Sequence, residues 1–270
     1  MERTEVEGLT VEYEARGSGE PVVFIHGALM VGTFGPMMRE PALKGFRLVR
    51  YSRRGYSGSK GDPAVPLARL AADCAGLLRK LDALPAHVVG HSSGGAIALQ
   101  LALDAPEVVR SLTLFEPALL DVASGPPLLE KLGATVPMYE AGDRRGAVDA
   151  FLQGACGKEY RSAVEKALPG AMEQAVADAP AFFEGEFPAL GGWTFTRDDA
   201  ARIEQRVLTV LGARSEATWR GWAEGHERLL EWFPQAKPFV LQRAGHLLQV
   251  ENPRDMAEGL AAFLKANGKQ

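Results

Sequence analysis

Several residue types and patterns that would point to particular protein classes are scarce in this chain of 270 residues. Its two cysteines, Cys74 and Cys156, are too few and too far apart for a zinc site or a disulfide framework, so we expect buried thiols. No run reaches the roughly 18 apolar residues of a membrane span. The charged start MERTEVEGLTVEYEARG also lacks the apolar region of a signal peptide. We therefore expect a cytoplasmic protein that does not associate with membranes.

Positive charge is not in excess either, because 30 Lys and Arg residues stand against 34 Asp and Glu residues, a formal net charge of −4. Nucleic-acid-binding proteins usually carry a basic patch or stripe, and none is visible here. With 46% hydrophobic and 24% charged residues, the composition is that of a globular protein. We expect a small-molecule partner and no nucleic acid, and no pattern indicates an oligomeric state.

Short apolar segments, most of which end at glycine, alternate with helical periods along the chain. Such segments are typical of buried parallel strands, and they begin at Leu9, Pro21, Phe46, Ala86, Ser111, Arg206 and Lys237. Apolar residues at helical spacing follow over residues 67–81 and again over residues 256–264. The alternation predicts an α/β fold with a mostly parallel central sheet and helices on both faces.

Residues 118–200 interrupt this alternation with helix-forming residues and no convincing strand. An insertion at this point would lie above the carboxyl ends of the strands, where open α/β sheets bind ligands. We therefore predict a core formed by residues 1–117 and 201–270, and a helical cap or lid formed by residues 118–200. A helical segment that only enlarges the core is the alternative.

The stretch GHSSGG (residues 90–95) contains the pattern G-x-S-x-G between a predicted strand and a predicted helix. In a nucleophile elbow, a serine occupies a strained turn there, and glycines two residues on either side allow the strand and the helix to approach. Ser92 satisfies this spacing. Ser93 does not, because His91 would then stand at the first glycine position.

A serine hydroxyl needs a base within hydrogen-bond reach, and the base needs a carboxylate to orient it. His246 follows the last predicted strand, at the carboxyl edge of the sheet, and is the expected base. His226 lies on an amphipathic helix and is expected to be a solvated surface residue, His87 precedes its strand, and His91 is expected to shape the site. No spacing of ligands suggests a metal, and we expect no cofactor.

An acyl-transfer site also needs backbone N–H groups that stabilise the oxyanion. The residue after the nucleophile, Ser93, supplies one such amide. The stretch FIHGALM ends an early strand, and Gly27 would permit a turn that directs the Ala28 amide towards the nucleophile.

The motifs HGALM, YSRRGYSGS, GHSSGG, FEP and AGHLLQVENP occur in an order and at separations that resemble the α/β-hydrolase fold superfamily, in its esterase-like branch with a helical cap. The resemblance spans nearly the whole chain. It implies ester-like acyl substrates, no cofactor, and a catalytic triad with Ser92 as nucleophile and His246 as base. It also implies the amides of Ala28 and Ser93 as oxyanion donors.

The acid of this triad has two candidates. Relatives often place an aspartate about three residues after the glycine that ends the penultimate strand, but Ser215 stands there, with Glu216 next to it. Other members carry the carboxylate at the end of the strand after the nucleophile helix, where this chain has Glu116. We favour Glu116, because a strand end holds a carboxylate rigidly, and Glu216 remains the alternative.

Residues around the proposed site are expected to form an apolar pocket or to brace it. The stretch YSRRGYSGSKG (residues 51–61) is expected to be a structural turn, since a phosphate-binding loop would need a different glycine and lysine spacing. The predicted pocket residues are His26, Met30, Phe34, His91, Trp193 and Leu247.

The sequence thus predicts a serine hydrolase that cleaves carboxylic esters or lactones of small to medium apolar substrates through an acyl-enzyme. A C–C bond hydrolase, an acyltransferase or a perhydrolase would use the same triad. A ligand receptor on this fold with slow or no turnover is the alternative from another class.

Overall fold

The computed structural model describes residues 1–268, and their centre is a single sheet. The strands of this sheet are β1 (Glu2–Val6), β2 (Leu9–Arg16), β3 (Glu20–Ile25), β4 (Phe46–Tyr51), β5 (Ala86–His91), β6 (Val109–Phe115), β7 (Arg206–Gly212) and β8 (Lys237–Leu241). Their order is β1-β2-β4-β3-β5-β6-β7-β8. The pairs β1–β2 and β2–β4 are antiparallel and the other neighbours are parallel, which confirms the mostly parallel sheet.

The helices lie between and after these strands. They are α1 (Gly35–Met38), α2 (Leu67–Lys80), α3 (Ser93–Asp104), α4 (Gly125–Gly133), α5 (Thr135–Glu140), α6 (Arg144–Cys156), α7 (Tyr160–Ala167), α8 (Ala171–Ala177), α9 (Phe187–Gly191), α10 (Arg197–Ala201), α11 (Gly221–Trp232), α12 (Leu248–Glu251) and α13 (Pro253–Ala266). A π-helical turn spans Ala181–Glu186. None of the helices within residues 1–268 combines the length and the apolar composition that crossing a bilayer requires.

Both faces of the sheet are covered by helices, as the sequence predicts. Successive side chains of a strand point to opposite faces, so Val23 and Ile25 pack in one apolar cluster with α2 and α3. Val22 and Phe24 pack in another cluster with α1 and α13. Each fully buried side chain of this size contributes about 1.5–3 kcal/mol, so the two clusters hold the sheet rigid beneath the site.

The segment between β6 and β7 contains α4 to α10 and the π-helical turn. Side chains of α4, α6, α7 and α8 form a third apolar cluster, which also takes in Trp219 and Trp222 from the region of α11. Leu190, Phe195 and Ala200 pack instead with the cluster under α2 and α3. The separation of a cap at residues 118–200 from the core stays a prediction.

Candidate active site

Ser92 lies in the turn between β5 and α3, with φ 54° and ψ −120°. A positive φ strains a residue that carries a Cβ atom, at a cost of about 1–3 kcal/mol. The Ser92 N–H donates to the Phe115 carbonyl at 3.0 Å, and the Ser92 carbonyl accepts the Ala118 N–H at 2.9 Å. These bonds hold the strained turn at the carboxyl edge of the sheet, where Ser92 borders a cavity.

Glycine is required on both sides of this turn because the backbones nearly touch. A Cβ atom at Gly90 would lie 2.4 Å from the Gly94 carbonyl oxygen. A Cβ atom at Gly94 would lie 2.2 Å from the Ile25 carbonyl oxygen, on the neighbouring strand β3. The G-x-S-x-G spacing therefore has a steric cause in this fold.

His246 lies in the loop between β8 and α12, and three contacts fix it. Its Nδ1 atom is 2.6 Å from Oε2 of Glu116. The indole of Trp222 stacks on the imidazole, with ring centroids 3.8 Å apart and planes 12° from parallel. Nε2 of His91 lies 2.8 Å from the His246 carbonyl oxygen. Because His91 immediately precedes Ser92, this contact places the histidine loop against the elbow.

Glu116 follows the last residue of β6 and is buried, with a positive φ of 43°. Its N–H donates to the Val210 carbonyl at 3.2 Å, and its Oε1 accepts the Gly212 N–H at 2.6 Å. The structure thus brings Glu116 to His246. The alternative acid, Glu216, is exposed on a 3₁₀ turn, while the neighbouring Ser215 is buried.

Burial shifts the protonation of this pair. It lowers the pKa of His246 to about 3 and raises the pKa of Glu116 to about 7, where the Ser215 hydroxyl and the Gly212 amide partly oppose the rise. Because the two groups share a short hydrogen bond, the pair takes up a proton as one unit. Above neutral pH this unit is a neutral imidazole beside a carboxylate, the form in which the ring can accept a proton.

The expected oxyanion donors border the same cavity as Ser92. Ser93 is the first residue of α3, and the first N–H groups of a helix have no partner within it. Ala28 follows Gly27, where a Cβ atom would lie only 3.1 Å from the Ser92 Cβ. Ala28, Ser92 and Ser93 all lie on the cavity wall, so the structure brings the three residues together.

The cavity at Ser92 is small and apolar. Its volume is about 30 Å³, room for little more than one water molecule. Apart from the three residues at the elbow and the Ala28 turn, the wall consists of Ala118, Leu120, Leu128, Leu132, Phe151, Ala155, Phe187, Leu190 and Trp222. Within the described residues 1–268, no charged side chain belongs to this wall, so it suits an uncharged apolar group.

The predicted pocket residues are not among the side chains that line this cavity. Phe34 packs against Phe24 and Phe115 in the core. Met30 borders a second depression, beside Arg50 and Leu168, and Trp193 borders a third, where its Nε1 donates to Gln100. Of the remaining three, His26 contacts Arg53, His91 contacts His246, and Leu247 packs in the cluster of the helical segment.

The expectation that His226 is solvated is wrong. Helix α11 packs on β7, so His226 is buried and its Nδ1 lies 3.0 Å from the Thr209 hydroxyl. His87 is also buried, at the amino end of β5, with Nδ1 2.7 Å from the Ser111 hydroxyl. Neither contact reaches the elbow.

Sequence reasoning did not identify Trp222, which both stacks on the imidazole and forms part of the cavity wall. Its Nε1 donates to the Ala155 carbonyl on α6 at 3.3 Å. An aromatic residue on an amphipathic helix carries no local signal that separates such a role from core packing. The motif at residues 51–61 contained the other unrecognised residue, Arg53, which is buried beneath the oxyanion loop.

Comparisons with known proteins show what this chain is similar to. BpoC of Mycobacterium tuberculosis is 35% identical over 108 residues, which make up 39% of this chain and only 41% of that protein. A thermophilic esterase from Thermogutta terrifontis superposes with a TM-score of 0.84 at 19% identity, over the full length of both chains. The enol-lactonase of Burkholderia xenovorans superposes with a TM-score of 0.82 at 19% identity, over 98% of this chain and 100% of that one.

At 19% identity the two superpositions show that the fold is shared. A family model assigns the chain to a family. The model of the alpha/beta hydrolase fold matches residues 20–253, which contain the strained elbow, the His246–Glu116 pair and the intervening helical segment. The chain belongs to the α/β-hydrolase fold family.

Proposed function

We propose that this protein is a serine hydrolase that cleaves carboxylic esters or lactones of small to medium apolar substrates. The observation that carries the proposal is the buried hydrogen bond between His246 and Glu116, 2.6 Å long, beside a serine elbow that borders an apolar cavity. A carboxylate that orients an imidazole next to a serine is the arrangement that nucleophilic acyl transfer needs.

In this mechanism the Ser92 hydroxyl oxygen attacks the substrate carbonyl carbon while Nε2 of His246 accepts its proton. The amides of Ala28 and Ser93 stabilise the resulting oxyanion. The imidazolium, held by the Glu116 carboxylate, then protonates the departing alcohol and leaves an acyl-enzyme. A water molecule repeats both steps, so that the carboxylic acid is released and Ser92 recovers its proton.

The wall of the cavity supports an apolar acyl group over a charged one. A buried charge without a partner is strongly unfavourable, and the part of the wall formed by described residues has no charged side chain that would compensate it. Because a cavity of about 30 Å³ has room for little more than one water molecule, binding of an acyl group requires side chains of the helical segment to move.

Steady-state hydrolysis of p-nitrophenyl acetate, butyrate and octanoate tests the proposal. We expect turnover by the wild type, none by Ser92→Ala, and a loss of about 10³–10⁴ in kcat for Glu116→Gln, because the neutral amide favours the wrong imidazole tautomer. Glu216→Gln is the matched control, since it removes an exposed carboxylate and should leave kcat unchanged. Full activity in folded Ser92→Ala, or only a stoichiometric burst from the wild type, contradicts the proposal.

A further inference from the structure

A buried ion pair outside the triad joins the helical segment to the core. Arg53 and Glu186 are each only 2% exposed, and Arg53 Nη2 donates to both carboxylate oxygens of Glu186 at 2.9 Å. Nε and Nη1 of Arg53 have no hydrogen-bond partner among the described residues 1–268. Because burying a charged pair with unsatisfied donors seldom stabilises a fold, this pair calls for a role besides stability.

The other contacts of Arg53 lead to the oxyanion loop. Nη2 of Arg53 donates to the Gly27 carbonyl oxygen at 3.2 Å. The Arg53 backbone N–H donates to Nε2 of His26 at 3.2 Å. With Nε2 as the acceptor, Nδ1 of the neutral His26 ring carries the proton and donates to the same Gly27 carbonyl at 2.8 Å. Two donors therefore fix one carbonyl group.

That carbonyl belongs to the peptide group whose N–H is the amide of Ala28. A peptide group is planar and trans, so its C=O and N–H bonds point in opposite directions, and fixing one fixes the other. Donors on the carbonyl also polarise the group and strengthen the N–H as a hydrogen-bond donor. We propose that His26 and Arg53 are positioning residues that direct the Ala28 amide at the oxyanion, and that Glu186 makes this arrangement depend on the position of the cap.

The helical segment between β6 and β7, called the cap here, packs closely on the core around Glu186. Glu186 ends the π-helical turn, and a Cβ atom at Gly185 in this turn would lie 2.3 Å from the Pro63 carbonyl oxygen. The Tyr56 hydroxyl also donates to Glu186. If the turn at Glu186 moves away, Arg53 loses its counter-ion, and the Gly27 carbonyl then keeps only His26 as a firmly held donor. Docking of the cap and completion of the oxyanion site therefore occur together, an inference that rests on the proposed function.

The double variant Arg53→Met/Glu186→Gln tests the inference without leaving an unpaired buried charge. The glutamine oxygen can still accept the Tyr56 hydroxyl. We expect kcat to fall about 10- to 100-fold, equally for p-nitrophenyl acetate and butyrate, because loss of one oxyanion donor costs about 10²–10³ and misdirection costs less. KM should change less than about threefold, because the donor acts in the transition state.

The matched control is Arg54→Met/Asp73→Asn, which removes the ion pair that joins the next residue of the same loop to α2. Arg54 donates twice to Asp73 at 2.8 Å and has no contact with Gly27 among its hydrogen bonds. We expect the control to fold and to keep kcat within about twofold of the wild type. Equal kcat in the two double variants would overturn the inference.

A second readout does not depend on activity. In protein labelled with [1-¹³C]glycine and [¹⁵N]alanine, the carbonyl resonance of Gly27 that is correlated with the Ala28 amide should move upfield in the test variant and stay in place in the control. An unchanged resonance would refute the positioning role. If the wild type turned over none of the esters, the proposed function would fail, and this resonance would still decide whether the ion pair orients the peptide.

Discussion

Replacing Ser92 by glycine should abolish activity and at the same time stabilise the fold. The backbone of Ser92 has φ 54° and ψ −120°, a conformation that strains any residue with a Cβ atom by about 1–3 kcal/mol. Glycine relieves this strain, while its greater freedom in the unfolded chain offsets about 0.5–1 kcal/mol of the gain. The Ser92 side chain makes no capping hydrogen bond, so its removal forfeits little.

We expect Ser92→Gly to raise the free energy of unfolding by about 1 kcal/mol, which corresponds to a rise of about 2–4 °C in melting temperature for a chain of this size. Differential scanning calorimetry of Ser92→Gly and Ser92→Ala measures it, because both variants lack the hydroxyl and only alanine keeps the strain. Ser93→Gly against Ser93→Ala is the control: Ser93 is helical, so there glycine should be the less stable variant. Equal melting temperatures for Ser92→Gly and Ser92→Ala would refute the argument.

Three further predictions follow from the site. First, the pair of Glu116 and His246 holds an extra proton at low pH and cannot then accept one from Ser92, so kcat/KM should rise through about pH 7 and then level off. A flat profile from about pH 5 to about pH 9 would contradict this. Second, Gly94→Ala places a Cβ atom 2.2 Å from a carbonyl oxygen of β3, and urea unfolding should show that the free energy of unfolding falls by about 2–3 kcal/mol. The control Gly133→Ala, with open space around it, should not lower the free energy of unfolding. Third, Trp222→Leu removes the ring stacked on the imidazole and should lower kcat for p-nitrophenyl butyrate about 10- to 100-fold, while Trp222→Phe, which keeps an aromatic ring, should lose far less.

The centre of the sheet was predictable because strands β3, β5, β6 and β7 are mostly buried, and their apolar runs therefore stand out against the helical periods. Strand β1 was not, since it lies at the edge of the sheet and its residues ERTEV are mostly exposed, with only Val6 buried. Strand β8, at the other edge, is equally exposed, but its residues KPFVL are more apolar than ERTEV. The formation of β1 depends on the neighbouring strand β2, which no local pattern reveals.

The nucleophile elbow at Ser92 was also predictable from local spacing, because the strand and helix backbones approach so closely that only glycine fits at Gly90 and Gly94. The partners of Ser92 are far apart in the chain, and only the end of β6 distinguished Glu116 from Glu216. The cavity wall was predicted least well. Its residues come from several short helices, so the side chains that reach it depend on tertiary packing, and Trp193 instead donates to Gln100 on α3.

The helical segment leaves the sheet at a point that is held against the nucleophile turn. Ala118, two residues after Glu116, donates its N–H to the Ser92 carbonyl, and Pro117 packs so closely on Gly95 that a Cβ atom there would lie 2.6 Å from it. The chain is therefore clamped to the nucleophile turn before the first helix of the segment begins. We therefore expect that exchanging α4 to α8 for the helices of a relative would change the side chains around the cavity and leave the backbone of Ser92 and Glu116 in place.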